Sequence, residues 1–332
     1  ALIPLLDAAS VEFMKNSQVP ISTLPTGHVP LDMDVFPMDN SNTQKEGVSY
    51  TYKGHDGYAP IAGYLGREGW CVACELRPGS QHANNDFLHV LDRVIHRVRA
   101  LTDKPVLVRL DSAHDALENR KQLRKHKADY LIKWNPRKQE PFQWYEKADA
   151  AATWHHPRPG KMEAIFSEVL DEESYTRRVV KVTVRMSNRH GQLFLEPQIE
   201  LEGWMTSLPP KVADDKTIIK LYRDHATSEQ FHSEFKTDLD LERLPSGKFD
   251  TNDLVMAFAV MAYNILRWMG LRGLMGSDAP VRHKAKRRRL KTVIQELMYM
   301  ACRMVSSGRQ LSLRFGKHCP GFSAFSSVYG TT

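Results

Sequence analysis

The chain has 332 residues, of which 42% are hydrophobic and 26% are charged, the composition of a folded globular protein and not of a disordered one. No apolar run reaches the ~18 residues that a membrane span needs, and four scattered cysteines are too few for a disulfide framework. The formal net charge of +7 is too small to indicate a nucleic-acid partner by itself. We therefore expect a cytoplasmic protein without a membrane span, with two domains or one large domain carrying an insertion.

The positive charge is concentrated towards the carboxyl terminus. Residues 282–291 (RHKAKRRRLK) contain seven Lys or Arg and no acid. A block of this kind is typical of a surface that contacts a polyanion, although the solvated start of a helix has the same composition. The candidate contacts in this block are Arg282, Lys284, Lys286, Arg287, Arg288 and Arg289.

The first strong pattern along the chain is that of a strand. Residues 29–36 (VPLDMDVF) alternate between apolar side chains and carboxylates, so they predict a strand with Asp32 and Asp34 on one face. Extended segments at 58–65 and 70–76 follow over short turns. The three segments together predict an antiparallel meander.

The pattern then changes to the helical period. Apolar residues between 87 and 101 recur at helical spacing, and VLVRL at 106–110 predicts a short buried strand that ends in Asp111. A helix at 117–126 and a strand at 130–134 follow, so the order β-β-β-α-β-α-β predicts a mixed sheet flanked by helices. A carboxylate at the end of a buried strand lies where α/β folds bind ligands, although an aspartate in this position also serves as a plain loop cap.

Residues 135–210 interrupt this alternation. Pro and Gly separate β-rich segments at 178–186, 192–196 and 198–206, which predicts an inserted β-rich subdomain. Helical spacing then resumes and predicts three helices, 217–239, 252–271 and 290–306.

A polar stripe marks the first of these three helices. Tyr222, His225, Glu229 and Lys236 lie at offsets of 0, 3, 7 and 14 residues, which places them on one face of a continuous helix. A solvated face is the simplest explanation of such a stripe, but Tyr and His seldom belong to a face that only meets water.

The same four positions carry a resemblance to a known family. The pattern Y-x2-R-x3-E-x6-K is the signature of bacterial insertion-sequence DDE transposases, and this chain matches it with His225 in the place of Arg. The stretches LDMDVFPMDNSNTQKEGVSYTYKGHDGYAP, VLVRLDSAHDALEN and KTDLDLERLPS also resemble that group. The similarity covers residues 26–315, and its motifs are specific in combination.

The resemblance implies an RNase H-like core, an α/β fold whose mixed sheet is flanked by helices and carries an inserted β-rich subdomain. It also implies that Asp34, Asp111 and Glu229 form a catalytic, metal-binding triad, with Asp32 left open as the alternative to Asp34. Three carboxylates suit Mg2+ or Mn2+, and a pair of such ions serves phosphodiester cleavage and strand transfer. The expected enzyme is a DNA transposase with endonuclease and polynucleotidyl transferase activity.

The partners implied by the resemblance are the terminal inverted repeats of a mobile element and its target DNA. A homodimer in the bacterial cytoplasm, associated with the nucleoid, is the expected form. Tyr222, Lys236 and the basic block are expected to hold the DNA backbone. His225 is expected to contact phosphate as well, but without the bidentate grip of Arg and with a charge that depends on pH.

The organisation expected from these patterns has five parts. They are an N-terminal segment left from an end-binding region (1–28), the first part of the core (29–134), the β-rich insertion (135–210), the helical second part of the core (211–315) and a C-terminal tail (316–332). Because the chain begins with Ala1 and not with Met, we expect an upstream part to be missing.

Two other functions are compatible with parts of the sequence. A transposase remnant that binds DNA without cutting it is one, because His225 departs from the signature and the starting Met is absent. A haloacid-dehalogenase-like phosphohydrolase is the other, because LDMDVF resembles the D-x-D strand end of that class, with Asp32 as the nucleophile. The second alternative leaves the stripe from Tyr222 to Lys236 unexplained.

Overall fold

The computed structural model of the protein describes residues 2–171, 175–277, 279–281 and 285–330. These residues form a mixed α/β fold in which helices cover a large sheet.

The strands in chain order are β1 (Val29–Val35), β2 (Met38–Asp39), β3 (Ser49–Tyr50), β4 (Asp56–Tyr58), β5 (Ile61–Leu65), β6 (Trp70–Glu75), β7 (Val106–Leu110), β8 (Asp129–Lys133), β9 (His155–Arg158), β10 (Lys161–Asp171), β11 (Thr176–Ser187), β12 (Leu193–Thr206), β13 (Cys302–Ser307) and β14 (Gln310–Phe315). The α-helices are α1 (Ile3–Asn16), α2 (Phe87–Leu101), α3 (Leu117–Lys125), α4 (Pro141–Ala151), α5 (Asp215–Arg223), α6 (Thr227–Ser233), α7 (Phe249–Gly273), α8 (Leu290–Val293) and α9 (Phe322–Tyr329). Short 3-10 turns occupy Ser112–His114 and Asp224–Ala226, and π-helical turns occupy Glu234–Asp238 and Ile294–Met298.

Nine strands form the main sheet, in the order β6-β5-β1-β7-β8-β12-β11-β10-β9. β1, β7 and β8 are parallel neighbours, whereas β5 pairs antiparallel with β1 and β6 pairs antiparallel with β5. The parallel strands are linked by crossovers that contain α2 and α3, as parallel pairing requires. A three-strand meander followed by two parallel strands is the arrangement of an RNase H-like core, so the expected fold class is confirmed.

Strands β9 to β12 continue the same sheet. β12 pairs antiparallel with β8, and β11, β10 and β9 follow as an antiparallel series. The β-rich segment between the two halves of the core therefore extends the core sheet and does not form a sheet of its own. The sequence pattern missed β10 and α4 and divided the single strand β12 into two. The domain boundaries given above stay predictions.

Helix α2 shows why the apolar spacing predicted the core elements correctly. Its apolar residues recur every three or four positions, so they form one stripe that packs on the sheet while charged residues face outwards. The buried members of the stripe are Phe87, Val90, Leu91, Val94, Ile95 and Val98.

Helix α7 is the central helix of the second half of the core. It is the one helix in the described parts of the chain that is long and apolar enough to cross a membrane, and 56% of its apolar window is buried inside the structure. Two polar residues of this helix are buried and bonded to protein: Asn264 bonds both backbone groups of Cys71, and Arg267 donates to the Arg288 carbonyl at 3.0 Å. Central helices of globular folds commonly have these properties.

The predicted continuous helix over 217–239 is nearly correct in its extent but wrong in its regularity. The chain forms α5, a 3-10 turn, α6 and a π-helical turn in succession. A regular helix would pair the Leu221 carbonyl with the N–H of His225, and here this carbonyl accepts a 2.6 Å hydrogen bond from Arg109 Nη1. A tertiary contact from β7 therefore competes with the helical ladder at this point.

The predicted helix over 290–306 is also wrong beyond Met298. Residues 302–315 instead form the hairpin β13–β14, whose two loop residues, Gly308 and Arg309, both have positive φ. A two-residue hairpin loop of this kind favours the right-handed twist of paired strands. The turn chemistry of Ser-Gly-Arg thus overrides the helical spacing of the apolar residues.

The expected flanking segments are docked on the core. Helix α1 packs against α7, and the following segment bonds the sheet where the Trp70 Nε1–H donates to the Pro20 carbonyl at 2.8 Å. In the expected tail, α9 also packs against α7.

A tight contact joins β8, β11 and β12. The backbone N–H of Trp134 donates to the Gly203 carbonyl at 2.8 Å, and the indole lies flat against this glycine. The Arg178 guanidinium packs against the rings of both Trp134 and Trp144, 4.5 and 4.6 Å from their centroids. A Cβ atom on Gly203 would lie 2.4 Å from the Trp134 ring, so this position has no room for a side chain.

We expect Gly203→Ala to lower the free energy of unfolding by about 1–3 kcal/mol, because the new methyl group displaces the Trp134 ring. Gly276→Ala is the matched control, since a Cβ there meets nothing within 4 Å. Urea denaturation followed by tryptophan fluorescence compares the two variants. Equal midpoints would show that the contact is not tight.

Candidate active site at the ends of β1 and β7

Two parallel strands end at the same edge of the sheet, and each supplies an aspartate. Asp34 is the sixth residue of β1, and Asp111 follows β7 directly. Helix α6 brings Glu229 to the same edge. The three carboxylates line one cleft of about 580 Å3, together with Lys133, Glu202, Trp204, Tyr222, Arg223, His225 and Ser228.

Asp111 is held in place by the turn that it begins. Its Oδ1 accepts a hydrogen bond from the Ala113 N–H at 3.2 Å and lies 2.6 Å from His114 Nδ1. The His114 ring is fully buried and packs on Phe87, with ring centroids 4.2 Å apart. These contacts fix Oδ1, while Oδ2 has no hydrogen-bond partner in the parts of the chain that the structure describes.

Asp34 also rests on a buried histidine. Its Oδ1 accepts a hydrogen bond from the Val35 N–H at 2.7 Å, and its Oδ2 lies 3.6 Å from His232 Nε2. The His232 ring is held by the Tyr64 hydroxyl, 3.2 Å from Nδ1, and stacks on Phe36. Burial raises the pKa of Asp34, but the contact with His232 outweighs this effect and the net pKa lies below its ordinary value.

Asp32 has a different environment from Asp34. It is only 3% exposed, and its two oxygens accept hydrogen bonds of 2.6 and 2.7 Å from the fork of Arg109. His225 Nδ1 lies 3.0 Å from Oδ1. Burial raises the pKa of Asp32, but the charges of Arg109 and His225 lower it by more than burial raises it. The net pKa therefore lies below its ordinary value.

The occupied oxygens of Asp32 bear on two of the alternatives left open by the sequence. Because Arg109 bonds both oxygens and the side chain is buried, the charge of Asp32 is already paired and is poorly placed to attack a phosphate or bind an ion. This geometry disfavours the phosphohydrolase reading and favours Asp34 as the first carboxylate of the site. The sequence reasoning placed both aspartates on one face, but it did not identify Arg109 as the partner that separates their roles.

The start of the polar stripe lies in the cleft. Tyr222 and Glu229 line it, and His225 is buried between the cleft and Asp32. Burial raises the pKa of Tyr222, and the nearby charges of Asp111 and Asp34 raise it further. The phenol therefore stays protonated at neutral pH and can donate a hydrogen bond.

Lys236 does not line this cleft. Its Nζ donates to the Pro37 carbonyl at 2.9 Å and lies 3.1 Å from Glu242 Oε2. The π-helical turn that begins at Glu234 changes the phase of the helix, so the predicted stripe ends before Lys236. Lys236 braces the segment that leaves β1.

Two lining residues, Lys133 and Glu202, were missed by the sequence reasoning. Lys133, at the end of β8, pairs with Glu202 of β12 at 2.8 Å. The Lys133 ammonium also lies 4.2 Å from the centre of the Trp204 ring, and the Trp204 Nε1–H is buried without a partner among the described residues. No local sequence motif marks Lys133 or Glu202, since only the pairing of β8 with β12 brings them together. His114 and His232, in contrast, each lie three residues after a predicted acid.

The basic block divides into structural and exposed cations. Arg288 is 7% exposed, and its Nε donates to the Leu274 carbonyl at 2.9 Å, so it holds the segment in place. Arg289 pairs with Asp238 at 2.8 Å. Arg287 covers the Phe231 ring, whereas Lys286 is exposed.

The remaining two candidates of the block, Arg282 and Lys284, lie outside the described residues. Arg287 and Lys286 line a second pocket of about 390 Å3, which also contains Arg67, Asp32 and Arg109. The buried Asp32–Arg109 pair borders this pocket, and His225, which contacts Asp32, lines the acidic cleft.

The acidic residues do not form a closed metal site. Among the described residues, no three His, Cys, Asp or Glu side chains lie close enough together to hold an ion. The donor chemistry nevertheless suits a hard cation, because the side chain of Glu229 and Oδ2 of Asp111 have no hydrogen-bond partner in the described part of the chain.

An RNase H-like sheet with carboxylates at the ends of its two central strands defines the structural class of this protein. The family of transposase DDE domains, group 1, matches residues 17–331, which is nearly the whole chain. The chain belongs to this family. Its assignment to the bacterial insertion-sequence group with the Y-R-E-K signature stays a prediction.

No curated protein matches the chain by sequence. Among solved structures, it is similar to piggyBac transposase in the cryo-EM structure of a synaptic complex with hairpin DNA. The similarity has a TM-score of 0.41 and 7% identity, and it covers 72% of this chain. The chain covers 46% of the piggyBac transposase, which is less than half of that protein's length.

The different environments of the two aspartates predict effects of very different size for the same substitution. Asp32→Asn leaves the buried Arg109 guanidinium without a counter-charge, so we expect a loss of about 3–5 kcal/mol in unfolding free energy. Asp34→Asn removes a partly exposed charge and should cost at most about 1 kcal/mol. Chemical denaturation at neutral pH measures both values, and equal losses would contradict the assignment of roles.

The same ion pair predicts an acid dependence of stability. Since the folded pKa of Asp32 is below the ordinary 3.8, its contribution is complete above that value and is lost as the pH falls through the lower folded pKa. The stability difference between the wild type and Asp32→Asn should therefore shrink below about pH 4. Unfolding free energies measured from pH 6 to pH 2.5 test this, and a difference that does not change with pH would refute it.

Proposed function

We propose that this protein cleaves DNA strands at the ends of a mobile element and joins the freed 3′-hydroxyl to target DNA. The proposal rests on one observation above all: Asp34, Asp111 and Glu229, which are distant in sequence, line a single cleft at the end of the central strands. The family supports a transposase reaction. The terminal inverted repeats and the target DNA are the inferred substrates, and a homodimer in the bacterial nucleoid is the inferred form.

Asp34 and Asp111 are the residues that would hold Mg2+ or Mn2+, with Glu229 as the third ligand. The unbonded oxygens of Asp111 and Glu229 support this set, since hard cations prefer carboxylate oxygens. When bound, a pair of divalent ions supplies activation of the attacking oxygen and charge stabilisation at the leaving oxygen. His114 and His232 orient Asp111 and Asp34 from behind, so each aspartate presents a fixed carboxylate to the cleft.

Glu229 has to move towards the two aspartates for the set to close. It is exposed, and α6 is flanked by a 3-10 turn and a π-helical turn. We infer that this short helix shifts when DNA and the ions bind, because neither of its ends is continuous with a regular helix.

The cations of the cleft are suited to the DNA backbone. Arg223 is exposed at the cleft, and its side chain has no ion pair among the described residues. Lys133 is positioned by Glu202 and Trp204, and Tyr222 keeps its phenolic proton. These three residues would contact phosphates beside the scissile bond. Lys236, in this conformation, would act indirectly through the segment that follows β1.

The direct test is metal-dependent nicking of a supercoiled plasmid that carries the ends of the element. We expect nicking with Mg2+ or Mn2+, and we expect Asp34→Asn, Asp111→Asn and Glu229→Gln to reduce it to the level without protein. Asp103→Asn is the matched control, because this exposed aspartate lies just before the opposite end of β7.

Nicking that survives all three active-site substitutions would refute the carboxylate triad. A folded wild type that binds DNA but nicks none with either ion would instead support the inactive-remnant function. Folding of each variant is checked by circular dichroism before the assay.

A further inference from the structure

We propose that the hairpin of β13 and β14, here named the C-terminal ribbon (Cys302–Phe315), is a separate binding site for the phosphate backbone of duplex DNA. The proposal rests on the proposed function in that DNA is the ligand. It adds a surface that is distinct from the acidic cleft and from the basic block.

The ribbon stands apart from the main sheet. Its two strands pair only with each other, from Cys302–Phe315 at the base to Ser307–Gln310 at the tip. The base is anchored because Phe315 packs on Phe322 and Phe325 of α9. Nearly every residue of the two strands is exposed. A two-stranded hairpin with so little cover is marginally stable by itself.

The pairing register gives the ribbon two different faces. Side chains alternate between faces along each strand, and directly opposed residues share a face. One face is polar and carries Arg303 and Arg314 directly across from each other. The remaining residues of this face are Val305, Ser307, Gln310 and Ser312.

The opposed arginines are the observation that points to an anion. Like charges directly across an antiparallel pair destabilise it. Neither Arg303 nor Arg314 has an ion pair or hydrogen bond among the described residues, and both are exposed. The sequence from 297 to 332 contains no Asp or Glu, so the ribbon has no acid of its own to neutralise them.

A third arginine extends this charge to the tip. Arg309 occupies the hairpin loop with a φ of 65°, a conformation that non-glycine residues seldom adopt. The polar face and the tip of the ribbon thus carry three guanidinium groups, and hydroxyl and amide side chains lie along the face. Each strand has six residues and is about 20 Å long at ~3.4 Å per residue, which suffices to cross a major groove about 12 Å wide. This combination fits phosphates along a groove, since a two-stranded ribbon enters a major groove.

The opposite face of the ribbon is apolar. Met304, Leu311 and Leu313 are 67%, 68% and 48% exposed. A second copy of the chain is the occupant that this face would suit. The charge pattern favours DNA for the ribbon as a whole, and self-association is treated below as an outcome that the test separates.

The test is the salt dependence of DNA binding by the full chain, measured by fluorescence anisotropy with a labelled duplex. Each lost phosphate contact makes the slope of log K against log salt less steep by about 0.9. The triple variant Arg303→Gln, Arg309→Gln, Arg314→Gln should therefore reduce the slope by about 2.7. Replacing the same three residues by Lys should keep most of the slope, because the charges remain.

The matched control removes three exposed cations on and just after α3. Lys121→Gln, Lys125→Gln and Lys127→Gln cause the same change in net charge, and we expect the slope to stay within the error of the wild type. If the triple Arg→Gln variant has the same salt slope as the wild type, the proposal is refuted. An equal fall in the control overturns it too, because the effect is then one of net charge alone.

Hydrogen exchange gives a readout that does not depend on affinity. DNA should increase the protection of the amides in residues 302–315, because phosphates relieve the repulsion between Arg303 and Arg314. Unchanged protection with bound DNA contradicts the proposal. A change of oligomeric state on Leu313→Ser, with the salt slope unaffected by the arginine variants, assigns the ribbon to self-association instead.

The plasmid assay separates this proposal from the proposed function. If the wild type nicks plasmid but the arginine variants have the salt slope of the wild type, the transposase function is supported and the ribbon proposal is refuted. If the wild type does not nick plasmid but the arginine variants have a less steep slope, the ribbon proposal is supported and the transposase function is not. If the wild type binds no duplex DNA at low salt, both proposals fail.

Discussion

The arrangement of the candidate site depends on a buried ion pair between Asp32 and Arg109. The pair crosses from β1 to β7 at the level where the two strands lie side by side, and Arg109 also reaches the Leu221 carbonyl at the end of α5. Three elements that are far apart in sequence therefore meet at one guanidinium. Removing two charges from water is expensive, and their attraction offsets the cost only when the geometry is good and the remaining donors are satisfied. Here the fork of Arg109 meets both oxygens and its third nitrogen meets a carbonyl. The register of this pair places Asp34 and Asp111 at the same edge of the sheet.

A second buried network gives the Glu229 segment its other attachment. Arg267 of α7 contacts Glu234 and the Tyr263 hydroxyl, and all three side chains are almost completely buried. The Arg267 backbone partner is the Arg288 carbonyl, so this network also fixes the segment that leads out of the basic block. The part of the chain that carries Glu229 is thus held on its N-terminal side, at Leu221, by Arg109 and on its C-terminal side, at Glu234, by Arg267. Between these points it is made of short turns of three different kinds, which is where a ligand-dependent movement costs least.

The sequence predicted the sheet core well because burial there leaves a local mark. The alternation around Asp32 and Asp34, the apolar run before Asp111 and the stripe of α2 each follow from which side chains face the core. The predictions failed where apolar spacing was not the deciding feature. Near Leu221, the distant side chain of Arg109 bonds a carbonyl of the predicted helix. At Gly308 and Arg309, two residues with positive φ form a hairpin turn, and this turn outweighs the helical spacing of the apolar residues.

The candidate site divides in the same way. Asp34, Asp111 and Glu229 belong to motifs, so they could be selected from the sequence, and the structure brings them to one cleft. Lys133 and Glu202 could not be selected, since strand pairing across about 70 residues creates their contact. Lys236 was selected on the assumption of a regular helix, and the π-helical turn directs it elsewhere. For the basic block, composition alone could not distinguish the buried Arg288 from the exposed Lys286.

The pairing of β8 with β12 has a consequence for how the chain folds. In the core alone, β8 would be an edge strand. One side of its backbone would pair with β7, the strand that leads to Asp111, and the other side would be unpaired. The segment that covers this edge is made only after about 60 more residues have been synthesised. Until then the emerging chain exposes an open, apolar strand edge of the kind that pairs with other chains. Pairings between such distant segments also form slowly. The β-rich extension therefore covers this edge of the core sheet only late in synthesis. The outer edge that replaces β8 is β9, a short exposed strand containing Pro157, which is poorly suited to pair with a neighbouring molecule.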